Sequence, residues 1–346
     1  MTLDNPYDPH HPVQHAGMFC GRVDTLYEIG SFLMGNQSVA LIGPAAIGKT
    51  SLLMHLLRTE TIAALGLGKD NLLVSIDCQV LAASRQDEIF ASFCASVAAA
   101  LSRQGQEPEP ALAAALVQLT RSGFELAVRR LNQHGLRVVL ILDDFDALAQ
   151  NPNVDLSFYN AMRSAAGRLR LAFLTASAQP LFDLTCADSS RQILSSPFFN
   201  IFAQLFLGLL PDAEARNLIR LPGEAAGRPV RQGLEDFIAD LAGGHPLILQ
   251  TACFYAWDSP DDLAGIERQT LQAFHKHFQR EWESLSLVEQ DALRHPAEAS
   301  LHAGGNPVLE THLRDLTRKC LLVKVGKSYC YPSRAWAEFV AAQNVS

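Results

Sequence analysis

Several things that would place the chain in a specialised class are scarce or missing in its sequence. No apolar run reaches the roughly 18 to 20 residues that a membrane-spanning helix needs. The nearest, SPFFNIFAQLFLGLL at 196–210, carries Asn200 and Gln204, ends at Pro211, and reads as a buried strand. The amino terminus, MTLDNPYDPHHPVQHAG, has no basic segment followed by an apolar one, so it does not read as a signal peptide. Cysteines are few and single: Cys20, Cys78, Cys94, Cys186, Cys253, Cys320 and Cys330 form no C-x-x-C pair. That argues against a disulfide framework or zinc site and for a reducing cytoplasm. Positive charge is not in excess either. The formal net charge of −8 exerts no global pull on nucleic acid. No internal repeat or low-complexity tract is present. What remains is an ordinary globular composition, 48% hydrophobic and 18% charged over 346 residues, enough for two or three domains with real cores.

From residue 37 onward, apolar runs alternate with helical patterns. QSVALIG (37–43), NLLVSIDC (71–78), RVVLILDD (137–144), LRLAFLTAS (169–177) and a segment within 199–207 read as strands. Helices are expected at 50–58, 87–104, 110–134 and 155–167. Continuous apolar strands between helices predict an α/β fold, a parallel sheet of about five strands covered on both faces. After about residue 208 the strands stop. Residues 212–278 read as mostly helical, with Asp212 as N-cap and breaks at LPGEAAGRP and AGGHP. The remainder opens on a Ser286-x-x-Glu289 capping box. It continues with Leu309, Leu313, Leu316 and Cys320 at helical spacing, then a hairpin LLVKVGKSYCYP and a closing helix RAWAEFVAA. Helices, a hairpin wing and a short helix predict a winged-helix module. The expected organisation is a tail at 1–15, an α/β core at 16–207, a helical, lid-like domain at 208–278 and a winged helix at 279–346.

The chemistry sits at two strand ends. GPAAIGKTS (43–51) matches G-x-x-x-x-G-K-[ST] between a strand and a helix, the phosphate-binding P-loop (Walker A) pattern. Its glycines let Gly43, Pro44, Ala45, Ala46, Ile47 and Gly48 wrap closely, with backbone N–H groups and a helix N-terminus facing phosphate. Lys49 would reach the β- and γ-phosphates, the Thr50 hydroxyl would hold Mg²⁺, and Ser51 could reach the α-phosphate. VVLILDDFD (138–146) is a buried strand ending in acid. Charge there needs a partner, and a nucleotide-bound Mg²⁺ supplies one for Asp143. Asp144 stands where a base could polarise the attacking water, and Asp146 decorates a helix N-terminus. The histidines of HH (10–11) and HKH (275–277) have no ligand cluster nearby and read as solvated. Cys320 and Cys330, flanking the wing, read as small core residues.

These motifs resemble the STAND class of P-loop ATPases, relatives of NB-ARC and AAA+ proteins. More narrowly, the chain resembles bacterial AAA-like proteins that begin NPY and run into F-x-G-R. The resemblance assigns Gly43–Ser51 to Walker A and Val138–Asp144 to a Walker B strand, with Mg²⁺ on the first acid and water activation on the second. It implies that MFCGR (18–22) packs near adenine and ribose, making Gly21 and Arg22 candidates. It implies that Pro246 of GGHPLIL leans on the base, and that a winged helix follows the helical domain. Thr175 or Ser177 would present a hydroxyl to the γ-phosphate. Relatives often follow with arginine, but here Ala178 follows, so a sensing arginine is either missing or comes from elsewhere, from Arg191 or a neighbouring subunit.

The expected function is a cytoplasmic molecular switch that binds ATP with Mg²⁺, turns it over slowly to ADP, and acts through a protein partner or self-association. Asp144 is one methylene shorter than the usual Glu, which fits slow turnover. The alternative is an ATP-dependent DNA-binding protein resembling origin-recognition initiators, with Arg314, Arg318, Lys319, Lys324, Lys327 and Arg334 around the wing. A mechanical AAA+ motor fits less well, for want of the Glu and the sensor arginine. The effector and repeat-sensor regions usual in STAND proteins are not evident in the sequence, so the expectation is either a separate partner or a lost output.

Overall fold

A computed structural model describes residues 4–13, 15–186, 197–303 and 305–343. It divides into two compact units. One comprises Val23–Gly43 and Leu52–Leu207; the other comprises Met1–Arg22, Pro44–Ser51 and Gly208–Ser346.

The first unit is built on a five-stranded, wholly parallel sheet. In chain order its elements are α1 (Val23–Met34), β1 (Ser38–Ile42), α2 (Lys49–Leu56), α3 (Thr59–Ala64), β2 (Asn71–Asp77), α4 (Gln86–Arg103), α5 (Pro110–Leu116), α6 (Arg121–Gln133), β3 (Arg137–Asp143), α7 (Phe145–Ala149), α8 (Leu156–Arg168), β4 (Leu171–Ser177), α9 (Leu181–Cys186) and β5 (Phe202–Phe206). The strand order is β2-β3-β4-β1-β5. All five strands lie where the apolar runs place them. β1 and β4 are buried along their whole length, as expected for strands covered on both faces. β4 sits between β1 and β3, pairing Ala40 with Thr175 and Leu142 with Thr175. Because every strand runs the same way, β1, β3 and β4 end on one edge, the edge where ligands bind in open parallel sheets.

The helix expected over 110–134 is two helices. Leu119 adopts a left-handed conformation with φ 49°, and Thr120 then caps α6 by accepting from the Gly123 N–H at 3.2 Å. Gly123 has no room for a side chain, since a Cβ there would lie 2.8 Å from the Ala115 carbonyl oxygen. Packed against the sheet, α4 buries Ile89, Phe90, Phe93, Cys94 and Val97, and Phe90 and Phe93 meet Phe124 and Phe158 in one aromatic cluster.

The second unit carries α10 (Asp212–Ala225), α11 (Gln232–Ala242), α12 (Pro246–Asp258), α13 (Leu263–Glu283), α14 (Leu287–Arg294), α15 (Pro296–Ala303), α16 (Pro307–Arg318), the antiparallel pair β6 (Val323–Val325) and β7 (Ser328–Cys330), and α17 (Arg334–Ala342). One apolar cluster runs through it, from Tyr7 and Ile219 to Trp282, Leu313 and Trp336. The expected capping box is present: Ser286 Oγ accepts from the Glu289 N–H, and Glu289 accepts from the Ser286 N–H at 2.8 Å. Two local expectations need correction. Asp212 is not the N-cap of α10; Pro211, with ψ 153°, holds that position, and Asp212 in the first turn accepts from Arg216 at 3.0 Å. Cys330 is exposed rather than in the core, because a two-stranded hairpin buries only one face; Cys320 is buried.

α10 also runs through Pro222 instead of ending there. A proline interrupts the helical hydrogen-bond ladder. Here the phenol of Tyr7 enters the gap, donating to the Ile219 carbonyl and accepting from the Gly223 N–H. Asn5 holds the segment in place, its side chain donating to the Phe254 carbonyl at 3.0 Å and accepting from the Tyr7 N–H at 3.0 Å. Tyr7→Phe removes the bridge and leaves a buried carbonyl and N–H unmet. It should lower stability by about 1–3 kcal/mol, read from denaturant unfolding.

The GGHP turn between α11 and α12 is shaped by close approach. Gly243 has φ +56°, and a Cβ there would lie 1.9 Å from the Pro332 carbonyl oxygen. A Cβ on Gly244 would lie 2.2 Å from the Leu210 carbonyl oxygen. His245 is the N-cap of α12 and Pro246 its first residue, where a missing N–H costs nothing. The His245 ring packs against Phe274 and His277, with centroids 6.1 and 6.3 Å away. His277 is therefore packed into the unit rather than solvated. Burial, then the charges of His277 and Arg22, push the His245 imidazole down to about 3 from an ordinary 6.5. Below pH 6.5 the unfolded chain takes up a proton that the folded chain refuses. This stability is therefore complete above pH 6.5 and falls as pH drops toward 3, by up to about 1.4 kcal/mol per unit. Melting temperature should drop between pH 7 and 5, and His245→Asn, which keeps a capping side chain, should flatten the slope.

Candidate functional site

The P-loop leaves β1 after Gly43, whose N–H donates to the Ser177 carbonyl at 3.0 Å. Ala46 has φ 63° and Gly48 φ 95°. Left-handed residues alternating with right-handed ones turn successive N–H groups toward one side, the arrangement that cradles an anion. α2 then starts at Lys49. Lys49 is only 9% exposed, and its Nζ donates to the Pro44 carbonyl of the same loop at 3.0 Å. The Ile47 side chain is fully buried and pins the loop. Ser51 Oγ accepts from the Val13 N–H at 3.1 Å, which ties the amino-terminal segment to the loop. Thr50 is half-buried beside it.

The same segment brings in Gly21 and Arg22. Gly21 has φ +77°, a left-handed backbone that favours glycine, and a Cβ there would push aside the Glu214 carboxylate, 2.2 Å away. Arg22 is also left-handed, with φ 63°. Its N–H donates to Glu214 at 3.1 Å, and its guanidinium donates to the carbonyls of Gly208 at 2.6 Å, Leu209 at 3.4 Å and Ile47 at 3.4 Å. Arg22 thus fastens the P-loop to the segment that leads into α10. One cavity is walled jointly by Arg22, by Ala46, Ile47 and Gly48 of the P-loop, and by Pro246. Pro246 Cγ lies 3.8 Å from where a Cβ on Gly48 would stand. Three motifs far apart in sequence therefore meet at one hollow.

On the sheet edge, β3 ends in Asp143 and β2 in Asp77, paired directly across. Asp144 is left-handed, with φ 49° and ψ 47°, a conformation that aspartate tolerates better than most residues. Its N–H donates to Asp143 Oδ1 at 3.0 Å, and its Oδ2 accepts from Gln79 at 3.5 Å. The crowding of acids shows in the Cys78 thiol. Burial pushes its pKa far up, and the carboxylates of Asp143, Asp77, Asp144 and Asp146 add to the push. Asp146 accepts from the Ala178 N–H at 2.8 Å, so it joins the ends of β3 and β4. On β4, Ser177 donates to the Gln179 carbonyl at 2.7 Å. Thr175 is fully buried, and its hydroxyl has no hydrogen-bond partner among the described residues. Arg191, the in-chain candidate for a sensing arginine, lies outside the described residues. Among the described residues no group of three or more His, Cys, Asp or Glu side chains could hold a metal ion by itself.

Sequence reasoning missed the role of the amino-terminal segment. Asp8, His11 and Val13 border the cavity, although His11 stays largely exposed and pairs with Asp8 at 2.9 Å. The one signal was Tyr7, an aromatic in an otherwise polar, proline-rich stretch. Gln250 was missed as well; it lines the cavity one turn beyond Pro246. No described helix is long and apolar enough to cross a membrane.

The fold recurs in solved proteins. The Walker-type ATPase PABY2304 of Pyrococcus abyssi superposes with a TM-score of 0.69 at 16% identity, covering 99% of this chain and 100% of that one. The ORC2 protein of Aeropyrum pernix gives a TM-score of 0.57 in its ADP form at 14% identity, covering 99% of this chain and 98% of that one. Its ADPNP–ADP complexes give 0.54 at 16% identity, with the same coverage of 99% and 98%. At such identities the likeness is one of fold. No curated protein matches the chain. The family model described as Novel STAND NTPase 2 (nSTAND2) matches residues 112–294, more than half of the sequence and a span that holds both the Asp143–Asp144 edge and Pro246. With a P-loop, an acid-tipped third strand and a parallel sheet ordered β2-β3-β4-β1-β5 around that match, the chain belongs to the Novel STAND NTPase 2 family of P-loop ATPases.

Proposed function

We propose that the protein is a STAND-type switch that binds ATP with Mg²⁺ and hydrolyses it slowly. One observation carries this reading: Arg22, the P-loop residues Ala46–Gly48 and Pro246 line a single cavity. A nucleotide with its phosphates on the loop would place its base and ribose in that hollow. Gly43, Pro44, Ala45, Ala46, Ile47, Gly48 and Ser51 would hold the phosphates. Lys49 would release Pro44 and turn to the β- and γ-phosphates. Thr50 and Asp143 would hold Mg²⁺. The donor set fits that ion, which characteristically takes one or two protein ligands, phosphates and water rather than an all-protein cage. Bound there, Mg²⁺ would supply charge neutralisation at the phosphates. Thr175 or Ser177 would contact the γ-phosphate, and the buried, unmet hydroxyl of Thr175 favours the first.

Asp144 would orient the attacking water. Its left-handed backbone is held by the Asp143 and Gln79 contacts, and strain of this kind persists where the surroundings enforce it. A short carboxylate at this position would hold water loosely, which supports slow turnover and a long-lived ATP state. Such a state shifts a conformational equilibrium only through differential contacts. Residues 208–278 would serve as the lid and 279–346 as a winged helix that contacts protein.

DNA binding through the wing is the second reading. At least three of its six basic residues are engaged within the chain, which weighs against it. Lys319 bonds Glu289 at 3.0 Å, Arg334 bonds Asp240 at 2.7 Å together with Glu267 and Glu338, and Lys324 sits 5.4 Å over the Tyr329 ring.

Lys49→Ala should abolish ATP binding in calorimetry; binding equal to wild type would sink the P-loop reading. Asp144→Asn should bind a non-hydrolysable analogue within about threefold of wild type while phosphate release falls by about 100-fold or more. Solution mass with ADP, ATP and the analogue should differ if the switch works through assembly. Duplex DNA binding should stay weak and nonspecific; tight binding with a steep salt slope would favour the second reading.

A further inference from the structure

Gln250 is 8% exposed, and its Oε1 has no hydrogen-bond partner among the described residues. Buried carboxamide oxygens are usually met by protein, water or ligand, so an unmet one lining a cavity is a ready acceptor for whatever fills it. Its position names the class. Gln250 lies four residues after Pro246 on α12, and residues at that spacing share a helix face. Both side chains line the cavity that the P-loop residues Ala46, Ile47 and Gly48 also wall. Met18, Leu210 and Leu218 make other walls apolar, as suits the faces of a flat ring. Asp8, at the rim, already accepts from the His10 N–H at 2.8 Å and pairs with His11, and Arg22 and Ser51 are engaged by backbone groups, which leaves Gln250 Oε1 as the buried acceptor still unmet among the described lining residues.

Resting on the ATP-binding reading above, we propose that Gln250 reads the base. Its Oε1 accepts a hydrogen bond from the exocyclic N6 amine of adenine. Guanine presents a carbonyl oxygen at that position, so the same acceptor disfavours it. Pro246 packs on the ring while Gln250, one turn along, tests its edge. The two residues of one helix face thereby separate affinity from specificity.

The test uses ADP, GDP and purine riboside diphosphate, which is ADP without the amine, on the full chain by calorimetry. Wild type should bind ADP about tenfold or more tighter than purine riboside diphosphate, and GDP more weakly than ADP. Gln250→Leu should bind ADP and purine riboside diphosphate equally, at the affinity wild type shows for the latter. Gln250→Glu, which keeps an acceptor oxygen, should retain the preference for ADP. A Gln250→Leu protein that still prefers ADP tenfold would overturn the assignment and leave the ATP reading standing, as would a wild type that binds both ligands equally. A wild type that binds none of the three would overturn both. Should Gln250→Leu melt far below wild type, Gln250→Glu decides: a kept preference supports base reading, and its loss overturns it.

Discussion

A single cation, the Arg22 guanidinium, ties the amino-terminal segment, the P-loop and the segment leading into α10 together. Burial depresses its proton affinity, with the Glu214 carboxylate opposing that effect. Such a charge survives only if its donors are met. Carbonyls from Ile47, Gly208 and Leu209 meet them, and Glu214 takes the backbone N–H. The planar fork of arginine suits three acceptors on two segments of chain, where a lysine would reach fewer. Two successive left-handed residues, Gly21 and Arg22, are needed to aim it. The F-x-G-R motif is thus explained by tethering as much as by any contact with a ligand.

Around that tie the second unit is assembled by close backbone approach. Gly243 and Gly244 admit neighbouring carbonyls at distances no side chain would allow. Tyr7 repairs α10 at Pro222 from a segment more than two hundred residues earlier in the chain. These contacts let the P-loop, the amino-terminal segment and α12 enclose one hollow, with Gln250 and Pro246 on the same face of the helix.

In the first unit the acids are concentrated by register. Parallel pairing sets Asp77 against Asp143, and the sharp left-handed turn at Asp144 keeps a second carboxylate at the strand tip instead of carrying it into α7. Burial raises the pKa of the Cys78 thiol first, and the negative field of these carboxylates adds to the push. Asp146, two residues on, serves the scaffold instead. It accepts from Ala178 and fixes the spacing between the strand ends.

The five strands were legible from residue pattern alone, because runs such as VVLIL and LAFL can only be buried on both faces. So was the phosphate loop, because G-x-x-x-x-G-K-[ST] between strand and helix encodes a backbone shape. The capping box at Ser286 was equally plain, being a contact within one turn. Folding in three dimensions settled the rest: 110–134 breaks at Leu119, Pro222 stays inside a helix, His277 is packed, Cys330 is exposed, and Gln250 faces the cavity. Each of these rests on a group distant in sequence or on a local backbone choice that packing selects. Hydrophobic periodicity reports which face is buried; it carries no record of what the buried face will meet.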